Sequence, residues 1–393
     1  MSYDFDTIYD RSKSNSMKWD VAGKELPMWV ADMDFKTAPE IIEAIKQKAE
    51  FGIFGYGIVP EEWYQSIINW WTSRYEFQLE KEWLTFCTGV VPAISSIVRK
   101  LTTVGENVLI QTPIYNIFFN SIVNNGRNIV ESPLKIIEGV YQIDFEDLEE
   151  KLSNPQTTLM ILCNPHNPIG KIWTKEILEK IGALCYKHHV LVLSDEIHCD
   201  LTDPGYEYIP FASVSKECKE NSITCIAPTK SFNLAGLQTA AVVIPNPYIR
   251  HKVVRGLNTD EVAEPNSFAI EGTIAAFSKG EIWLEELRRY LLENKKYAQD
   301  FLIRELPQVS ITPSNATYLL WINCREVIGS ATEMCKFIRK HNGLVLSAGS
   351  VYGKEGEGFI RMNIGCPKKL VEDGLKRLKE GILAYEKWVV EQC

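Results

Sequence analysis

Residues 159–193 read LMILCNPHNPIGKIWTKEILEKIGALCYKHHVLVL. The stretch begins and ends with a short apolar run, and between the two runs Thr174 is placed to cap a helix with apolar positions at helical spacing. Further apolar runs at residues 222–226 and 240–244 continue the alternation. Near-continuous apolar strands separated by helices are typical of a mostly parallel sheet that is covered on both faces. The sequence therefore predicts an α/β fold built on such a sheet.

The pattern changes in the last third of the chain. A long charged helical stretch is followed by strand-like runs at residues 317–323 and 359–364, and the chain closes on an amphipathic helix. We predict a large domain over residues 49–284. The N-terminal segment 1–48 and the C-terminal part 285–393 are predicted to form a smaller α+β domain together.

Composition and charge exclude several classes of protein. Hydrophobic residues make up 45% of the 393 residues, which is enough for a core and unlike a disordered chain. The net charge is −9 and no basic tract is present, so we expect neither a nucleic-acid partner nor a membrane partner. No apolar run reaches the roughly 18 residues of a membrane span, and no secretory signal is visible.

The ten cysteines form no CxxC pair, and most lie among apolar neighbours. We interpret them as reduced core residues rather than as ligands or disulfide partners. Reduced cysteines suit the cytoplasm, which is the location that we expect.

The first candidate binding motif is Thr88-Gly89-Val90-Val91-Pro92-Ala93-Ile94, which follows a strand-like run at residues 83–87. Ligands of parallel sheets bind outside the carboxyl ends of the strands. Gly89 allows a tight turn and Pro92 suits the first turn of a helix, whose N–H groups can bind a phosphate. A plain strand–helix turn is the alternative. The motif is not a Walker A loop, because it lacks the Gly-Lys-Ser/Thr ending.

A second motif, Asn164-Pro165-His166-Asn167-Pro168-Ile169-Gly170, follows the apolar run that ends at Cys163. Two Asn-Pro steps and a glycine favour a rigid loop. Such a loop holds an amide side chain at the carboxyl edge of the sheet, although a turn without a ligand is also compatible with it.

An acidic motif, Ser194-Asp195-Glu196-Ile197-His198, follows the next strand. A carboxylate at this buried position needs a cationic or N–H partner. The alternatives are a helix cap by Asp195 and a surface histidine at His198. We expect no zinc site here, because no second cluster of ligands has a suitable spacing.

A lysine, Lys230, comes soon after the apolar run that ends at Ile226. Burial lowers the pKa of a lysine and makes the amine a nucleophile toward carbonyl groups. The alternative is a surface lysine at a helix start, where the helix dipole disfavours a cation.

A single cofactor needs a phosphate site, a buried acid, a polar amide and a nucleophilic lysine together. It is pyridoxal 5′-phosphate (PLP), whose ring stores electrons when a carboxylate keeps its pyridine nitrogen protonated.

These motifs and the segment Pro27-Met28-Trp29-Val30-Ala31-Asp32-Met33-Asp34-Phe35 resemble those of a known family. The chain is similar over nearly its whole length to fold type I PLP-dependent enzymes of the class I/II aminotransferase superfamily. More narrowly, it looks like the MalY/PatB group of cystathionine β-lyases. The resemblance implies a large domain with a mostly parallel sheet and a smaller α+β domain.

The resemblance also implies roles for individual residues. Lys230 would bind the cofactor covalently and move the Cα proton, while Asp195 would pair with the pyridine nitrogen. The other implied cofactor contacts are Asn167 and His198 at the phenolic oxygen, Tyr115 stacked on the ring, and Gly89, Val90 and Thr229 at the phosphate. Tyr56 would reach the phosphate of a neighbouring subunit, which implies a homodimer with shared active sites. Arg361 would hold the substrate carboxylate, with Trp29 and Asn167 beside it.

The sequence departs from many aminotransferases at two places. The residue three positions before Lys230 is Ala227 rather than serine, and no arginine follows as far as Gln238. Both departures fit the lyase branch better than the aspartate aminotransferase branch.

We therefore expect a carbon–sulfur β-lyase that converts L-cystathionine or a related cysteine S-conjugate to pyruvate, ammonia and a thiol. The first alternative is a PLP-dependent aminotransferase that uses a 2-oxo acid. The second alternative is a regulatory protein that acts by direct protein contact.

Overall fold

The computed structural model describes residues 2–392. In chain order its α-helices are α1 (Pro39–Phe51), α2 (Glu61–Tyr75), α3 (Val90–Leu101), α4 (Ile117–Val123), α5 (Phe145–Leu152), α6 (Lys175–Lys187), α7 (Lys216–Glu220), α8 (Pro247–Thr259), α9 (Ala269–Lys279), α10 (Glu281–Glu305), α11 (Ala331–Asn342) and α12 (Lys368–Gln392). Its strands are β1 (Leu26–Pro27), β2 (Leu84–Cys87), β3 (Asn107–Ile110), β4 (Asn128–Glu131), β5 (Lys135–Ile137), β6 (Val140–Gln142), β7 (Thr157–Cys163), β8 (Leu191–Asp195), β9 (Ser222–Ile226), β10 (Ala240–Val243), β11 (Ser310–Ile311), β12 (Leu319–Asn323), β13 (Leu344–Val345), β14 (Ser347–Ala348) and β15 (Phe359–Asn363).

The central sheet has seven strands in the order β2-β10-β9-β8-β7-β3-β4. All neighbouring strands are parallel except β10, which is antiparallel to both β2 and β9. The predicted mostly parallel sheet and the α/β fold class are thus confirmed. Residues 227–239, which include Lys230, connect β9 to β10.

Strands β7, β8 and β9 are buried on both faces, which explains their continuous apolar sequences. Helix α6 begins after Thr174 as predicted, and the Thr174 side chain accepts a hydrogen bond from the Ile177 N–H. The nine described cysteines are free and buried. Their predicted place in the core is confirmed, and Cys393 lies outside the described residues.

The N-terminal segment packs with the C-terminal part of the chain. Strand β1 pairs in parallel with β13, and the C-terminal strands form an antiparallel sheet in the order β11-β12-β15-β14. The predicted boundary between residues 284 and 285 falls within α10, and the division into two domains stays a prediction. Among residues 2–392, no helix is both long and apolar enough to span a membrane.

Candidate active site

A cavity of about 210 Å³ lies at the carboxyl ends of β7, β8 and β9. Its lining contains seven of the predicted site residues, namely Gly89, Val90, Tyr115, Asn167, Asp195, His198 and Lys230. Five strand–loop junctions, at the ends of β2, β3, β7, β8 and β9, therefore meet at one edge of the sheet, as parallel strands require.

Lys230 lies in the turn that leaves β9. Its Nζ donates a hydrogen bond to the Ala31 carbonyl at 2.5 Å. Burial, assisted by the positive charge of Arg361, lowers the pKa of Lys230 to about 8, while the carboxylates of Asp32 and Asp195 act in the opposite direction. More of this amine is therefore neutral and nucleophilic near neutral pH than in an exposed lysine.

Asp195 is the last residue of β8 and is 4% exposed. Its Oδ1 accepts one hydrogen bond, from the Ile197 N–H at 3.2 Å. Burial raises the pKa of Asp195 to about 7, and the Ile197 N–H and the charge of Lys230 oppose this shift only in part. The carboxyl group is therefore suited to a cationic partner inside the cavity.

Two ring side chains line the same cavity. Burial, together with the charges of Lys230 and Arg361, lowers the pKa of His198 to about 3, so this imidazole is neutral. The His198 Nδ1 is buried and has no hydrogen-bond partner among the described residues. Burial raises the pKa of Tyr115 to about 12, although Arg361 acts in the opposite direction.

Arg361, in β15, lies beside the cavity rather than in its lining. Its Nη1 donates to the Asn167 Oδ1 at 3.1 Å and its Nη2 donates to the Trp29 carbonyl at 2.8 Å. The guanidinium is centred 4.8 Å from the Tyr352 ring. Its Nε is buried without a partner in the described part of the chain, so the fork retains an N–H for an anion.

The N-terminus of α3 supplies the predicted anion site. Gly89 precedes the first residue of α3, Val90, and no side chain caps this helix. The first N–H groups of a helix have no partner within it and carry a partial positive charge. A side chain at Gly89 would bring its Cβ within 3.2 Å of the Pro92 ring, so glycine keeps this approach open. Thr229 is buried next to Lys230.

Tyr56, which is predicted to reach the phosphate of a neighbouring subunit, does not line the cavity of its own chain. Its side chain is fully exposed, in the irregular segment between α1 and α2. The flanking Ile53, Phe54 and Ile58 are also exposed. Contiguous apolar exposure of this kind is typical of a contact surface.

Sequence reasoning missed three contributors to the site. The Ala31 carbonyl binds Lys230 and also accepts a hydrogen bond from the Tyr318 hydroxyl at 3.1 Å. Asp32 acts on the charge of Lys230. The segment 27–35 pointed to this region, but a backbone carbonyl has no signature in a sequence, and Tyr318 is far from the motif in the chain.

These residues fit PLP on four observations. The buried Asp195 carboxyl has one N–H donor and a raised pKa, as expected for the partner of a pyridine nitrogen. The buried His198 Nδ1 has no hydrogen-bond partner among the described residues, and a polar atom of the cofactor could supply one. The uncapped start of α3 suits a phosphate, and Lys230 has the nucleophilic amine that the aldehyde requires.

The fold and the site together define a class of protein. The family of class I and II aminotransferases matches residues 26–378, and the chain belongs to this family. The predicted family and the predicted fold type are thereby confirmed.

Within this family the chain is similar to a cystathionine beta-lyase and to two further proteins. Cystathionine beta-lyase PatB of Bacillus subtilis (strain 168) is 42% identical over 384 residues, which cover 96% of this chain and 99% of PatB. Protein MalY of Escherichia coli (strain K12) is 32% identical over 390 residues, covering 97% of this chain and 99% of MalY. The crystal structure of cystalysin from Treponema denticola, which contains PLP, matches with a TM-score of 0.95 at 31% identity and covers 98% of this chain and 100% of that chain.

Proposed function

We propose that the chain is a PLP-dependent carbon–sulfur β-lyase that cleaves L-cystathionine or a related cysteine S-conjugate to pyruvate, ammonia and a thiol. The observation that carries this proposal is the meeting of Lys230 and Asp195 in one cavity, with Arg361 beside it. The similarity to PatB, a cystathionine beta-lyase, favours the lyase over the aminotransferase.

The positions of the side chains support the proposed cofactor contacts. Asp195 would hold the pyridine nitrogen, with Tyr115 against the ring. Asn167 and His198 would serve the phenolic oxygen. The N–H groups at Gly89 and Val90, with Thr229, would hold the phosphate.

The mechanism derives from what these side chains can do. When bound, PLP supplies an electron sink that stabilises negative charge developing at the substrate Cα. Arg361 binds the substrate carboxylate and so orients the Cα–H bond toward Lys230. The neutral amine of Lys230 takes the Cα proton. The pKa of Lys230 is about 8, and a general base is most effective when its pKa lies near the working pH. The bond between Cβ and sulfur then breaks, and the sulfur leaves with the bonding electron pair as a thiolate. Addition of water yields pyruvate and ammonia.

A homodimer is part of this proposal. The exposed Tyr56 and its apolar neighbours support a subunit interface at which Tyr56 completes the phosphate site of the partner. If that is correct, a mixture of Tyr56→Ala and Lys230→Ala chains, refolded together, regains activity that neither variant has alone. Activity that stays absent in the mixture would contradict the shared site.

The free cysteines support a cytoplasmic location.

Product analysis with L-cystathionine, in the absence of any 2-oxo acid, tests the activity. We expect sustained release of pyruvate and homocysteine, and none from Lys230→Ala. The control is Lys216→Ala, because Lys216 is an exposed lysine. Lys295 is unsuitable as a control, since it is buried and paired with Asp203. Turnover that requires both an amino donor and a 2-oxo acid would show an aminotransferase instead.

A further inference from the structure

The end of β8 and the segment that follows it carry residues that line the cavity and a buried aspartate, Asp200, that lies outside it. Asp195 and His198 line the cavity, whereas Asp200 lies outside the lining. Asp200 is 1% exposed, and its carboxylate binds residues of α2 and of the turn that carries Lys230.

The two oxygens of Asp200 have different partners. Oδ1 accepts hydrogen bonds from the Trp70 Nε1 at 2.9 Å and from the Tyr75 hydroxyl, and it lies 3.4 Å from the Arg74 Nε. Oδ2 accepts a hydrogen bond from the Ser231 Oγ at 3.0 Å. The first oxygen is thus fixed by α2 and the second is directed at the residue next to Lys230.

The backbone around Lys230 is a tight turn. The Phe232 N–H donates to the Pro228 carbonyl at 2.9 Å, and the Leu234 N–H donates to the Thr229 carbonyl at 2.9 Å. These bonds shape the turn, but they do not join it to the segment that carries Asp195 and His198. The bond between Ser231 and Asp200 makes that connection.

We propose that Asp200 and Ser231 are positioning residues that fix the lysine-bearing turn against the acid-bearing segment. The inference rests on the proposed function, in which Lys230 must reach both the cofactor aldehyde and the substrate Cα. The long side chain of Lys230 is flexible, so the accuracy of its reach depends on where its Cα is held. Neither Ser231 nor Asp200 lines the cofactor cavity, so both residues act through Lys230.

The variant Ser231→Ala, prepared as the PLP-loaded enzyme, tests this role. Its matched control is Ser132→Ala, which also removes a buried serine that donates to a carboxylate, the Asp147 Oδ2 at 2.7 Å. The readouts are the visible circular dichroism of the bound cofactor, kcat and KM. For Ser231→Ala we expect an altered dichroism band and a kcat about tenfold lower, with KM changed by less than about threefold. Ser132→Ala should match the unchanged enzyme in all three.

An unchanged dichroism band and kcat in folded Ser231→Ala overturn the proposal, as does a change in KM alone. If Ser231→Ala does not fold, Tyr75→Phe decides the question, because it removes a donor to Asp200 with little change in volume. An altered band in Tyr75→Phe supports the positioning role, and an unaltered band overturns it. The dichroism needs no turnover, so a lack of lyase activity in the unchanged protein would count against the proposed function alone.

Discussion

Replacement of Asp195 by asparagine tests the central electrostatic feature of the site. Asparagine keeps the shape and can still accept the N–H of Ile197, but it has no charge for a pyridine nitrogen. We expect Asp195→Asn to fold, to bind PLP more weakly and to lose most of its lyase activity.

The size of the effect follows from the burial of Asp195. A rise of its pKa from 3.8 to about 7 corresponds to about 4 kcal/mol against the charged form. A protonated pyridine nitrogen would have to offset this cost to return Asp195 to the ionisation of an exposed carboxylate. We expect the pyridine nitrogen in Asp195→Asn to lose an interaction of about that size, which corresponds to a kcat lower by about a thousandfold.

The assay is the initial rate of pyruvate release at saturating L-cystathionine and PLP, with the visible absorbance confirming that the cofactor is bound. Asp373→Asn is the control, because Asp373 forms a half-exposed pair with Arg377 on α12. A loaded Asp195→Asn enzyme with kcat within about tenfold of the unchanged enzyme would refute the reasoning.

Three further outcomes follow from the same structure. The rate at which PLP attaches to the apoprotein should rise with pH and level off above about pH 8, because the pKa of Lys230 is lowered to about 8 and only the neutral amine reacts. Stopped-flow absorbance measures this rate, and a rise centred near pH 10 would contradict the prediction. Asp34→Ala should lower the free energy of unfolding in urea by about 3 kcal/mol, because Lys18, which is 1% exposed, loses its partner at 2.6 Å and keeps Asp32, whose Oδ1 is 3.5 Å away. The half-exposed Asp373→Ala should cost less than about 1 kcal/mol. Arg361→Lys should raise KM by about 10–100-fold through loss of the two-pronged hydrogen bonding, and steady-state kinetics with an unchanged KM would remove Arg361 from carboxylate binding.

The part of the site that the sequence predicts is the part built on the central sheet. Asp195, Asn167 and Lys230 each follow an apolar strand, and the carboxyl ends of parallel strands must meet at one edge. Strand identity and the residue after each strand are local properties, so they could be predicted without knowing the rest of the fold. Tyr115 and Arg361 needed the resemblance. Tyr115 follows β3, whose apolar run was not among the strands predicted from the sequence, and Arg361 lies in the C-terminal sheet.

The residues that sequence reasoning missed depend on contacts between distant parts of the chain. Lys230 and Ala31 are 199 positions apart, and their bond uses a main-chain oxygen that every residue possesses. Lys18 is buried against Asp34, although lysine is almost never fully buried, and no local pattern announces that pair.

The N-terminal segment 29–35 shows why a backbone can matter more than side chains in such a motif. In the described part of the chain this stretch forms no strand. The Asp34 N–H donates to the Gly365 carbonyl at 2.8 Å, and side-chain amides bind other N–H and carbonyl groups of the stretch. Asn233 binds the Met33 N–H and the carbonyls of Met33 and Phe35, while Asn363 binds the carbonyls of Val30 and Asp32. One amide comes from the turn after Lys230 and the other from β15, two residues beyond Arg361. The segment is thus tied to the nucleophile on one side and to the proposed carboxylate-binding strand on the other, so a shift of either changes the position of the Ala31 carbonyl at Lys230.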